Sequence, residues 1–167
     1  MTDGGIDDLY RAIILDHYQR PRNHGRLDAP SVAARGSNPL CGDEVEVALR
    51  ITGERITDVA FQGRGCSISQ ASASLMTESV KGKTLTEAIG LLGQFRLLIT
   101  EPDGPEAPPD GLGDLGALHG VRRYPVRVRC ALLAWNVLKE GLDRYTGGEE
   151  RRGPGDRRRA LGPGDAV

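Results

Sequence analysis

Between Asp43 and Ile51 the chain alternates Val45, Val47, Leu49 and Ile51 with Glu44, Glu46, Ala48 and Arg50. A period of two belongs to a strand with one buried face. Thr52-Gly53-Glu54 turns the chain, and Arg55 to Gln62 reads as the return strand, with Val59 and Phe61 inward. Such an antiparallel hairpin needs its apolar face covered. Helical spacing elsewhere supplies the cover. Ile6, Leu9, Tyr10, Ile13, Ile14 and His17 share a face until Pro21 stops the pattern, and Ser67 to Lys81 carries Ile68, Ala71, Leu75, Met76 and Val80. Thr84-Leu85-Thr86-Glu87 fits a capping box that opens a helix burying Leu85, Ala88, Ile89 and Leu92. A last helix runs from about Val126 to Leu142, and Ser31 to Gly36 gives a short first strand. The expected fold is α+β: a small antiparallel three-stranded sheet covered on one face by helices.

The chain has 167 residues, enough for one domain with a real core. That domain is expected over residues 1–145. Residues 100–120, rich in Pro, Gly and Asp, read as an insertion out of the core with one short helical turn around Asp114 to Leu118. Residues 146–167, with almost nothing to bury, read as a disordered tail. Lys and Arg number 22 against 23 Asp and Glu, a formal net charge of -1, so no global field draws the chain to nucleic acid or an anionic membrane. The first residues lack the basic and apolar regions of a secretory signal, and no run approaches the roughly 18 apolar residues that span a bilayer. A cytoplasmic protein is expected, a monomer or weak homodimer.

Three cysteines, Cys41, Cys66 and Cys130, are too few for a disulfide framework, and in a reducing compartment they point to metal ligation or nucleophilic chemistry. Each sits at a joint: Cys41 before the long strand, Cys66 between the return strand and a helix, Cys130 in the first turn of the last helix. The parity that turns Val45 and Val47 inward turns Asp43 inward too. Three thiolates and a carboxylate match the number and softness of ligands that tetrahedral zinc accepts. No short Cys-x-x-Cys pair is present, so convergence depends on the fold, and three unrelated buried cysteines are the competing reading. Gly42, Gly63 and Gly65 leave the backbone free for positive φ or close approach. Helix N-termini beside Cys66 and Cys130 should favour their thiolates. Arg127, three residues before Cys130, shares its helical face, whereas Arg129 is rotated by roughly 100°; Arg127 is the candidate for electrostatic support, against a solvated basic turn. His17 reads as a packed core or hinge residue, and His24 and His119 as loop residues facing solvent or a partner, none of them a metal ligand.

Four blocks together, Asp16-His17-Tyr18-Gln19-Arg20-Pro21-Arg22-Asn23, Asn38-Pro39-Leu40-Cys41-Gly42-Asp43, Gly63-Arg64-Gly65-Cys66-Ser67-Ile68-Ser69 and Arg127-Val128-Arg129-Cys130-Ala131-Leu132-Leu133-Ala134-Trp135, resemble the SufU-type iron-sulfur cluster assembly proteins of the IscU and NifU N-terminal group. The resemblance covers about residues 6 to 144. Scaffold-type members carry a His immediately before the third Cys; here Arg129 stands there, and this and the 100–120 insertion resemble SufU. The chaperone-recognised Leu-Pro-Pro-Val-Lys of IscU is replaced by Arg123-Tyr124-Pro125-Val126-Arg127, which removes the ground for expecting that partner.

The resemblance implies an IscU-like fold, zinc held by Cys41, Asp43, Cys66 and Cys130, a SufS-type cysteine desulfurase as partner, and Cys41 as the acceptor of persulfide sulfur. It implies that a desulfurase histidine replaces Cys41 on zinc and that sulfur then passes to downstream iron-sulfur assembly proteins. The chain would act as a zinc-dependent sulfurtransferase. Two other readings stay open: a scaffold for a transient [2Fe-2S] cluster on the same thiolates, and zinc as a folding staple.

Overall fold

The computed structural model describes residues 2–101 and 112–147, without side chains for residues 2–9. Helix α1 (Thr2–Gln19) leads through a loop into strands β1 (Val32–Asn38), β2 (Asp43–Thr52) and β3 (Arg55–Arg64), followed by α2 (Ser67–Val80), α3 (Leu85–Thr100), a 3-10 helix (Gly113–Arg123) and α4 (Pro125–Thr146). The sheet is antiparallel in the order β1-β2-β3. Gly53, at φ +63°, makes the two-residue turn between β2 and β3 that only a left-handed residue permits.

One face of the sheet is the floor of the core. Val32 and Ala34 of β1, Val45, Val47, Leu49 and Ile51 of β2, and Ile56, Val59 and Phe61 of β3 are all buried. Their cross-strand neighbours on the other face, the row Arg35, Glu46 and Gln62, are exposed or half-buried. Helix α4 packs on β1 and β2, and α2 packs on β3, α4 and α1. Small residues at the helix contacts permit close approach. A Cβ on Gly36 would come 2.8 Å from Val137 Cγ2. Phe95 of α3 stacks on Trp135 of α4 at 4.5 Å with both rings fully buried. The sheet with helices on one face is the architecture the alternation predicts.

Four local expectations change. Strand β1 runs two residues past Gly36, to Asn38, because pairing with β2 continues through Asn38 opposite Asp43. The Thr84 capping box forms as expected, but Ile89 is 46% exposed, and the buried stripe of α3 continues through Leu92, Phe95, Leu98 and Ile99. The helical turn expected around Asp114 to Leu118 is an eleven-residue 3-10 helix with Leu115, Leu118 and Val121 in the core, so residues 112–123 pack into the fold and do not leave it. His119 is buried there, 4% exposed, where the loop reading placed it at the surface. Residues 102–111 and 148–167, which hold the rest of the expected insertion and nearly all of the expected tail, lie outside the described residues.

Candidate metal centre

The site lies where the open ends of β1, β2 and β3 meet the N-terminal ends of α2 and α4. Asn38 ends β1 and Asp43 begins β2 as its register partner. The intervening turn is closed by the Asn38 carbonyl, which accepts from the backbone N–H of Cys41 at 3.1 Å and of Gly42 at 2.8 Å. Gly42 takes φ +73°, and this reversal leaves Cys41 exposed at the turn's tip. From there the Cys41 Sγ reaches 3.5 Å from the Sγ of Cys130, a residue 2% exposed.

Asp43 is 1% exposed, its side chain on the core face as strand parity requires. Its Oδ1 accepts the backbone N–H of Cys66 at 3.0 Å. Cys66 is the N-cap of α2 and has no side-chain cap of its own. The carboxylate therefore caps α2 from outside, at the positive end of the helix. Its Oδ2 lies 4.0 Å from the half-buried Cys66 Sγ. Room for this carboxylate comes from Gly65, where a Cβ would sit 2.8 Å from Asp43 Cγ and closer still to Asp43 Oδ1 and Ser69 Oγ. Gly63, at φ +151°, lets β3 pass against the backbone of Glu44 and Val45. Gly42 and Gly63 thus serve conformation, as expected, while Gly65 serves space alone.

Ligand atoms of Cys41, Asp43 and Cys130 all lie within 4.8 Å of one another. Sulfurs bound to one tetrahedral zinc at about 2.3 Å stand about 3.8 Å apart, close to the 3.5 Å found between Cys41 and Cys130. Cys66 borders this trio through Asp43. Burial pushes the Cys130 thiol well above the ordinary range, and hydrogen bonding with Asp43, Cys41 and Cys66 adds to it. The favourable helix effect expected for Cys130 is overridden, partly because α4 starts at Pro125 and places Cys130 in its second turn. Three thiols and a carboxylate with this spacing fit a soft divalent cation, which supplies the positive charge that lets adjacent thiolates coexist.

Of the four residues expected at the site, Cys41, Asp43 and Cys130 form the close group, and Cys66 lies against it through Asp43. Arg127 lies on the exposed first turn of α4 and, among the described residues, forms no hydrogen bond or ion pair. None of the histidines joins the site. His17 is buried with Nδ1 2.7 Å from Ser74 Oγ, and exposed His24 sets its ring edge-on to Phe61 at 5.1 Å. Asn38 is a contributor the motif reading left without a role. The Asn38 to Asp43 pairing was open to discovery by extending β1 with the same alternation.

A family model described as the NifU-like N terminal domain matches residues 9–128. The chain belongs to this family. It is 38% identical over 146 residues to the zinc-dependent sulfurtransferase SufU of Bacillus subtilis, covering 87% of this chain and 97% of the relative. It is 40% identical over 139 residues to the iron-sulfur cluster assembly scaffold protein IscU of Streptococcus pyogenes, covering 83% and 86%. Among solved structures, a putative iron-sulfur cluster assembly scaffold protein for the SUF system from Fervidobacterium islandicum AW-1 matches with a TM-score of 0.71 at 35% identity, over 78% of this chain and 93% of the other. A NifU-like protein (N-terminal) from Brucella abortus matches with a TM-score of 0.75 at 28% identity, over 85% and 97%. The fold expected from the resemblance is thus the fold of the family. No helix among the described residues is long and apolar enough to cross a membrane.

Proposed function

We propose that this NifU-like domain is an iron-sulfur cluster assembly protein that holds zinc on Cys41, Asp43, Cys66 and Cys130 and carries sulfur on Cys41. The observation that supports sulfur carriage is the unequal burial of the ligand set: Asp43 and Cys130 are 1% and 2% exposed, while Cys41, 3.5 Å from Cys130, is exposed on a turn. Asp43, Cys66 and Cys130 are the holders, and Cys41 is the thiol a partner can reach. Zinc, when bound, keeps these thiols deprotonated near neutral pH and shields them from stray oxidation.

The sulfur donor is a SufS-type cysteine desulfurase, and the acceptors are downstream iron-sulfur assembly proteins of the cytoplasm. The Cys41 thiolate attacks the terminal sulfur of the desulfurase persulfide. A new S–S bond forms on Cys41, the S–S bond on the desulfurase breaks, and the desulfurase cysteine leaves as thiolate. No net oxidation occurs. Arg127, exposed three residues before Cys130, gives electrostatic support to the anionic sulfur at this end of α4.

Cys41→Ala tests the reading. The variant is expected to keep the wild-type fold, since Cys41 is exposed, and to lose stimulation of a cysteine desulfurase. Stimulation equal to wild type would refute sulfur carriage. The alternative of a [2Fe-2S] scaffold rests on the same thiolates and on the likeness to IscU; metal content and visible absorption of protein prepared without added iron separate the two, zinc and no colour favouring the carrier. The exposure of Cys41 weighs against a purely structural staple, whose ligands are ordinarily all enclosed.

A further inference from the structure

Three buried side-chain polar atoms among the described residues have no hydrogen-bond partner: Nε of Arg122, Nε of Arg144, and Nδ2 of Asn38. The two arginines have other guanidinium nitrogens engaged, Arg122 on the His119 carbonyl and Arg144 on the Ala33 carbonyl. The amide nitrogen of Asn38 has nothing. Its two N–H donors are buried, the residue being 8% exposed, on the strand end directly opposite Asp43.

The turn does not account for these donors. Asn38 serves it with its oxygens alone: Oδ1 accepts the backbone N–H of Leu40 at 3.3 Å, and the carbonyl accepts from Cys41 and Gly42. The Leu40 bond also fixes which end of the amide is oxygen. Asp or Ser would supply the same acceptor to such a turn. What only Asn brings is the donor pair. Asn38 and Asp43 are direct cross-strand partners on the core face, which sets their Cβ atoms about 4.5 to 5.5 Å apart. One oxygen of Asp43 is already held by the Cys66 N–H.

We propose that Asn38 is a positioning residue of the metal centre, its Nδ2 donating to the Asp43 carboxylate and fixing that ligand when the site is loaded. The inference rests on the four-ligand zinc reading above and extends it to the residue that orients one ligand. Carboxylates on a metal are themselves hydrogen-bonded, and losing such an outer partner typically weakens metal binding about 10- to 100-fold.

Two variants of the full chain test it. Asn38→Asp keeps shape and turn acceptor but removes the donors, and Asn38→Ser removes the amide donor pair without adding charge, leaving a single shorter hydroxyl. Zinc affinity is measured by competition with a chromophoric chelator, and melting of each chelator-stripped protein is followed separately. Asn38→Ser is expected to melt as wild type without zinc, and Asn38→Asp to melt lower because its buried carboxylate faces Asp43. Asn38→Ser is expected to bind zinc about 10- to 100-fold more weakly, while cobalt(II) loaded in place of zinc keeps its sulfur-to-metal charge-transfer bands and changes only its ligand-field bands. An Asn38→Ser affinity within about twofold of wild type, or weakened binding by Asn38→Ser matched by its lower melting without zinc, would overturn the proposal. Displaced charge-transfer bands would overturn the choice of Asp43 by placing the donor on a thiolate. If wild type itself fails to take up zinc, the four-ligand reading falls and this inference with it.

Discussion

Replacing Gly65 by alanine probes the metal centre with a single methyl group. Gly65 does not occupy the left-handed region, so the backbone accepts alanine and the perturbation is confined to space. The new Cβ would stand 2.8 Å from Asp43 Cγ, against about 3.5 to 4.0 Å for a comfortable carbon-carbon contact. The carboxylate must retreat by roughly 0.7 Å or more, whereas metal-ligand distances are matched to about 0.2 Å. Retreat also strains the 3.0 Å bond from the Cys66 N–H; a hydrogen bond to a charged group is worth about 1.5 to 3 kcal/mol. Gly65→Ala should therefore fold, with stability lowered by up to about 3 kcal/mol, and hold zinc at least about tenfold more weakly. Urea unfolding without metal measures the first effect, and chelator competition at fixed pH the second. A variant that binds zinc as wild type does would refute the argument that Asp43 is a ligand held in a cradle shaped by Gly65.

Two predictions concern the fold that carries the site. Burial, with the Arg22 cation adding to it, holds His17 below the ordinary histidine range, against the weaker opposing pull of Glu78, Asp16 and Asp114. The unfolded chain then takes up the proton first, so the contribution of neutral His17 is complete above about pH 6.5 and lost as pH falls below it, at no more than about 1.4 kcal/mol per pH unit. Urea midpoints from about pH 7.5 down to about pH 5.5 should fall less steeply in His17→Gln than in wild type; parallel curves would refute the assignment. Leu118→Ala removes a fully buried side chain of the 3-10 helix and should cost about 2 to 5 kcal/mol in unfolding free energy, while a loss under about 1 kcal/mol would mean that this segment does lie outside the core.

What was legible in the sequence is what obeys a local period. The alternation from Val45 to Ile51 specified β2, its inward face and the orientation of Asp43, because a strand has only two faces. The Thr84 capping box is decided within four residues and forms as read. Residues 112–123 were misread because Gly113, Gly116 and Gly120 signal a loop, whereas burial of Leu115, Leu118 and Val121 by neighbouring helices is a tertiary outcome. The Cys130 thiol was misjudged for a related reason. A helix N-terminus is visible in sequence, but desolvation by the packed core and the nearness of two other thiols are not, and here they dominate.

The same distinction bears on how one ligand set can serve two chemistries. Three thiolates and a carboxylate hold zinc or an iron-sulfur cluster on equal terms as far as ligand softness goes, so the choice between carrier and scaffold lies in access. Asp43 would be committed twice, as the proposed ligand and as the external cap of α2, and Cys130 is locked in a helix against the sheet. Moving either would cost secondary structure as well as metal. Cys41 is committed to neither: its turn is closed by bonds to its backbone N–H and not to its sulfur, and Gly42 at φ +73° carries the reversal. With zinc held as proposed, the sulfur of Cys41 could therefore leave it without disturbing β1 or β2, which is the property sulfur transfer demands of its acceptor and a closed structural site does not.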